Sequence, residues 1–263
     1  MSHLRKALDK AQQERFDTLE PATSTVATAS ASAATTDRLA RSVTVDLSDA
    51  RERRLVAFLD DHPVAEQYRK LRTQLRAHAQ ATGDRCFLIT SPGSGDGKTL
   101  TALNLAISMA REVDQTVLLV DANLRAPAVA QLLGLDPQAG LADYLEGRAE
   151  VSDCLLRTDV GKLTLFAGVG ANAGAAELLD SQRMRDLVAE LKGRYPDRTI
   201  LFDGPGVEGA ADPIILSRFV DAILLVVREG TTQAPTLAQA LAVLPADKLL
   251  GTVLTASLEV AGG

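Results

Sequence analysis

Lys98 and Thr99, with two aspartates at positions 121 and 203, are the side chains of this sequence that are spaced for phosphate chemistry. A glycine-rich stretch, Ser91 to Gly97 (SPGSGDG), leads directly into Lys98, Thr99 and Leu100. Glycines let successive N–H groups turn inward around phosphate oxygens, and a helix starting there adds the positive end of its dipole. Lys98 would then pair with the β- and γ-phosphates, and the Thr99 hydroxyl would ligate Mg2+. Gly93, Ser94, Gly95, Asp96, Gly97 and Leu100 complete the expected nucleotide contacts. The generic pattern has a glycine five residues before Gly97; this sequence has Pro92.

That chemistry needs a strand before the loop and a helix after it. Cys86 to Ile89 is a short apolar run of buried-strand type. Leu100, Leu103, Ala106, Ile107 and Ala110 fall on one helical face. The aspartates have the complementary placement: Thr116 to Val120 (TVLLV) runs into Asp121, and Thr199 to Phe202 (TILF) runs into Asp203. In open parallel sheets ligands bind beyond the carboxyl ends of strands, so both carboxylates should project toward the loop. Mg2+ takes oxygen ligands and keeps several waters, which an aspartate closing an apolar strand can serve. Further strands are expected at Leu163 to Phe166, Ala222 to Val227 and Leu249 to Leu254. An amphipathic helix is expected from Ala176 to Tyr195, stopped by Pro196. The alternation predicts an α/β fold of the P-loop NTPase type, a mainly parallel sheet with helices on both faces.

Composition bounds the partners. The 263-residue chain carries a net charge of −6, which argues against a non-specific nucleic-acid surface. It has no eighteen-residue apolar run and no signal peptide, so a cytoplasmic location is expected, peripheral to the inner membrane through a partner. Cys86 and Cys154 lack metal-ligand spacing and read as reduced packing residues. His3, His62 and His78 form no triad. Residues 1–16 have helical propensity, as a frayed terminus or as a docking helix for a partner. Residues 17–47 read as a flexible linker rich in Ala, Ser and Thr, and 48–263 as the ATP-binding domain. Within it, the helix over 63–80 spaces Glu66, Arg69 and Arg72 three apart; by spacing alone this is a solvated charged ridge.

Four elements together resemble the bacterial tyrosine kinases of polysaccharide synthesis and export. ITSPGSGDGKTLTALNLA is similar to that family's phosphate loop, LLVDANLRAP to its second acidic motif, and TILFDGPG to its Walker-B motif. EQYRKLR matches its Glu-x-x-Arg-x-x-Arg motif. The resemblance runs from Pro63 to about Leu254, and SHLRKALDKAQ near the N-terminus looks like the exosortase-associated form. The partitioning and division-site ATPases instead carry a lysine early in the loop, where this chain has Gly93. The resemblance implies ATP and Mg2+ as cofactors, with Lys98, Asp121 and Asp203 as the catalytic set and Thr99, Asp121 and Asp203 around the metal. It also implies ring-like self-association through Glu66, Arg69 and Arg72, and a membrane chain-length determinant or co-polymerase as partner.

The departures are specific. Asn123 replaces the family's second aspartate, and an amide cannot accept a proton at neutral pH. Gly206 replaces the second proline of the Walker-B motif, and Thr255 stands where an asparagine reading the base is expected. The chain ends TASLEVAGG rather than in a tyrosine-rich tail, and Tyr68, Tyr144 and Tyr195 all fall in predicted helices. Two functions follow: an ATP-dependent protein-tyrosine kinase acting in exopolysaccharide synthesis or export, or a non-kinase ATPase switch or regulatory subunit, MinD/ParA-like or a degenerate kinase, of a membrane polysaccharide machine.

Overall fold

The computed structural model describes residues 40–170, 174–194 and 197–256. The expected N-terminal helix, the linker up to residue 39, Tyr195 with Pro196, and the last seven residues lie outside that set.

The apolar runs become strands of one sheet. In chain order these are β1 (Arg41–Val43), β2 (Cys86–Ser91), β3 (Thr116–Asp121), β4 (Leu155–Thr158), β5 (Leu163–Phe166), β6 (Arg198–Gly206), β7 (Ala222–Arg228) and β8 (Leu249–Thr255). Side by side they run β1-β4-β5-β3-β6-β2-β7-β8. Every pairing is parallel except β4 with β5. The helices are α1 (Pro63–Thr82), α2 (Lys98–Ala110), α3 (Val129–Leu132), α4 (Leu141–Leu145), α5 (Val151–Cys154), α6 (Ala175–Leu179), α7 (Gln182–Arg194), α8 (Asp212–Ser217) and α9 (Ala234–Val243).

The central strands are apolar at consecutive positions because both faces are covered. On β2, β3 and β6, Leu88, Leu118, Val120 and Phe202 pack toward α6, α7 and α8. Their neighbours Phe87, Ile89, Val117, Leu119 and Leu201 pack toward α1 and α2. Helix α2 is buried from Thr101 to Ala110, and α1 covers it from outside. Buried Asn104 accepts from the Ala57 N–H at 2.9 Å and donates to the Arg54 carbonyl at 3.0 Å, fastening the segment before α1 to α2. Cys86 and Cys154 are buried free thiols, with burial pushing each up to about 12.

Three expectations need correction. The end of the expected linker, residues 41–43, is β1, paired with β4. The single helix over 176–195 is two, because the chain turns at Asp180 and Ser181; the Ser181 hydroxyl accepts the Met184 N–H at 3.2 Å and starts α7. Asp203 does not close its strand: β6 continues to Gly206 alongside β2, with a register shift between Ile89 and Ser91. Apart from the helix expected around Tyr144, the short elements at 129–158 and 212–217 went unread because none is long enough to show a period.

Candidate functional site

The loop between β2 and α2 contains Gly93, Ser94, Gly95, Asp96 and Gly97, and α2 begins with Lys98, Thr99 and Leu100. Gly95 and Gly97 have φ of 82° and 96°, in the left-handed region that a side chain would strain. The loop also grips the strand beside it: the Val207 and Glu208 N–H groups donate to the Ser91 and Pro92 carbonyls at 2.9 Å each. Gly206 is therefore held against Gly93, and a β-carbon on it would stand 2.8 Å from the Gly93 carbonyl oxygen. The family's usual proline cannot occupy this position without moving the loop.

Asp121 and Asp203 are register partners on β3 and β6 and both are fully buried. Their environments differ. Asp121 Oδ2 accepts the Ala128 and Val129 N–H groups at 3.0 Å each, and Oδ1 accepts that of Asn123 at 3.3 Å. Neither oxygen of Asp203 has a hydrogen-bond partner. Burial raises the carboxyl pKa of both. The charge of Asp121 raises that of Asp203 further, while the charge of Lys98 draws it back down.

Such an orphaned, buried carboxylate beside Lys98 and Thr99 fits a divalent cation, which would supply the missing partner. Among the described residues no three His, Cys, Asp or Glu side chains converge as a metal cluster. A cation here would therefore complete its shell with Thr99, phosphate oxygens and water.

Asn123 does not stand in as a second carboxylate; its amide donates to the Ala126 carbonyl at 2.9 Å. Four residues of the site were not read from the sequence. Gly168 leaves room for Asp121, whose Cγ would lie 2.9 Å from a β-carbon there. Its position just past β5, at the carboxyl end of a strand, was the available signal. Arg125 pairs with fully buried Asp212 through two hydrogen bonds of 2.7 and 3.0 Å, joining the segments that follow Asp121 and Asp203. Thr232 donates to Asp96 from the turn after β7, and no sequence pattern marks it.

The Glu66, Arg69 and Arg72 ridge divides. Arg69 pairs with Glu66 at 2.7 Å on the exposed side of α1. Arg72 turns inward, donating to the Ser108 carbonyl at 2.8 Å and pairing with Glu112 at 3.1 Å. Tyr144 packs edge-on against Phe166 beneath Arg183, and Tyr68 packs against the α2-side core.

Known proteins resemble this chain in sequence and fold. A family model for the CobQ/CobB/MinD/ParA nucleotide binding domain matches residues 87–222. The tyrosine-protein kinase YwqD of Bacillus subtilis is 30% identical over 206 residues, 77% of this chain and 86% of that protein. Other tyrosine-protein kinases match over less of their length, and the chain spans only 22% or 23% of several. The kinase domain of the Escherichia coli tyrosine kinase ETK has a TM-score of 0.69 at 26% identity, covering 84% of this chain and 93% of its own. The septum site-determining protein MinD of Pyrococcus horikoshii, complexed with Mg-ADP, has a TM-score of 0.52 at 25% identity, over 65% of this chain and 69% of its own.

Proposed function

As a member of the bacterial tyrosine kinase family, within the CobQ/CobB/MinD/ParA class of nucleotide-binding domains, the chain is a P-loop ATP-binding protein, and we propose that it transfers the γ-phosphoryl group of MgATP to a protein tyrosine. The observation that carries this reading is Asp203, buried without a donor at the carboxyl end of the sheet, beside the residues that would hold phosphate.

The loop amides and Lys98 would hold the phosphates, and Thr99 and Asp203 would hold the cation. Mg2+ supplies neutralisation of charge on the phosphate oxygens as the phosphoryl group transfers. Asp121 Oδ1, engaged only by the 3.3 Å contact to Asn123, orients the acceptor hydroxyl and takes its proton. Burial raises the basicity of Asp121, which suits it to that task near neutral pH. The fixed dipoles and charges of the loop do most of the stabilisation.

We place this activity in exopolysaccharide synthesis or export, with a membrane co-polymerase as partner and with self-association through exposed Glu66, half-buried Arg69 and the neighbouring Arg72. No described helix is long and apolar enough to cross a membrane. Asn123 supports a second reading, an ATPase switch without an acceptor tyrosine. Intact mass and peptide mapping after incubation with MgATP, beside a Lys98→Met control, separate the two. Phosphotyrosine lost in the control establishes the kinase; ADP release without phosphotyrosine favours the switch; neither signal overturns both.

A further inference from the structure

An aspartate inside a phosphate loop poses an electrostatic problem. A carboxylate aimed at bound phosphate would repel it strongly in a partly buried site. Asp96 avoids this by turning away: it is 2% exposed, and both its oxygens are engaged. Oδ2 accepts the Gly93 N–H at 2.9 Å, closing the loop on itself. Oδ1 accepts the Thr232 hydroxyl at 2.8 Å.

The backbone on either side is tethered to the same region. The Thr255 hydroxyl, at the end of β8, donates to the Asp96 carbonyl at 2.7 Å. The Arg228 guanidinium, at the end of β7, donates to the Gly95 carbonyl at 3.0 Å. The tethers are themselves linked, since the Arg228 N–H donates to Thr232 Oγ1 at 2.8 Å and the Glu229 N–H to the Thr255 carbonyl at 3.0 Å.

We propose that Asp96 is a positioning residue for nucleotide binding, holding the phosphate loop in its binding shape through Thr232 and Thr255 and coupling the loop to the ends of β7 and β8. The inference rests on the nucleotide-binding reading given above. Its physical basis is pre-organisation: backbone ordered before the ligand arrives no longer charges its entropy against binding. The coupling is reciprocal, so whatever shifts the turn after β7 alters nucleotide affinity, and nucleotide stiffens that turn.

The test is calorimetric titration of the full chain with MgATP, well below the melting temperature, on the wild type, Lys98→Met, Asp96→Ala, Thr232→Val, Thr232→Ser and the Asp96→Ala/Thr232→Val pair. Loss of a charge-assisted hydrogen bond weakens affinity about tenfold in Asp96→Ala. Thr232→Val should follow it by a few-fold, Thr232→Ser should stay within about twofold of wild type, and the double variant should bind no worse than Asp96→Ala alone. Folded variants that keep wild-type affinity while their nucleotide-free melting temperatures fall would make Asp96 structural only and overturn the proposal. If Asp96→Ala does not fold, the Val and Ser variants at 232, with the same pair at 255, decide it by the same criterion. A wild type that binds MgATP no better than Lys98→Met overturns the nucleotide-binding reading itself, whereas binding without coupling overturns only the role of Asp96.

Discussion

Asp121 and Asp203 sit opposite each other on adjacent parallel strands, and the backbone satisfies only one of them: Asp121 takes three N–H donors and Asp203 takes none. The first therefore shapes the loop that follows β3, and the second is left buried without a backbone donor.

This asymmetry makes stability depend on pH. Burial raises both carboxyls above the ordinary range near about 4, so between that value and the raised one the native state holds protons that the unfolded chain has released. Stability of the nucleotide-free protein is then greatest at the acidic end of this window and falls as pH rises through it, by at most about 1.4 kcal/mol per pH unit for each group. Cation binding on the proposed reading runs the other way, because it needs Asp203 ionised. Melting temperatures from pH 5 to 8 should show the fall, and Asp203→Asn should flatten it while abolishing Mg2+-dependent nucleotide binding.

Asp121→Ala should behave differently from any change at Asp203. It leaves the N–H groups of Asn123, Ala128 and Val129 buried without their acceptor, a loss of about 2–4 kcal/mol. Asp121→Asn retains an acceptor oxygen and should cost about half as much. Urea unfolding with and without MgATP separates this stability loss from any loss of phosphoryl transfer.

Arg69 and Arg72, the two arginines of the charged ridge on α1, should also part company. Arg72 ties α1 to the end of α2, and removing it should cost about 1–2 kcal/mol. Arg69 is half-buried in a same-helix pair with exposed Glu66, and Arg69→Ala should change monomer stability by less than about 0.5 kcal/mol. Sedimentation velocity should show Arg69→Ala shifting any self-association without that loss of stability.

Gly206→Ala places a methyl group 2.8 Å from the Gly93 carbonyl oxygen. The resulting displacement of the phosphate loop should cost about 1–3 kcal/mol and raise the KM for MgATP more than it lowers kcat. Gly206→Pro, which restores the family's usual residue, should be worse rather than corrective. Steady-state ADP release is the measurement for both.

The chemistry of the central strands was legible because a strand buried on both faces must be apolar at every position, and a loop binding phosphate must be rich in glycine. Cys86 to Ile89, the loop to Thr99, and the two aspartates could all be found that way. Residues 41–43 could not: three residues show no period, and they become a strand only because β4 offers them an edge.

The sequence by itself thus determined the fold class, the phosphate loop and the pair of carboxylates, since each depends on residue types at short separations. Only the tertiary structure decided which carboxylate is free, that Arg72 points inward, and that Asp96 is held by Thr232 and Thr255 from 136 and 159 residues away. Hydrogen bonds between such distant segments depend on how strands order themselves across the sheet, and no local pattern of residues encodes that order.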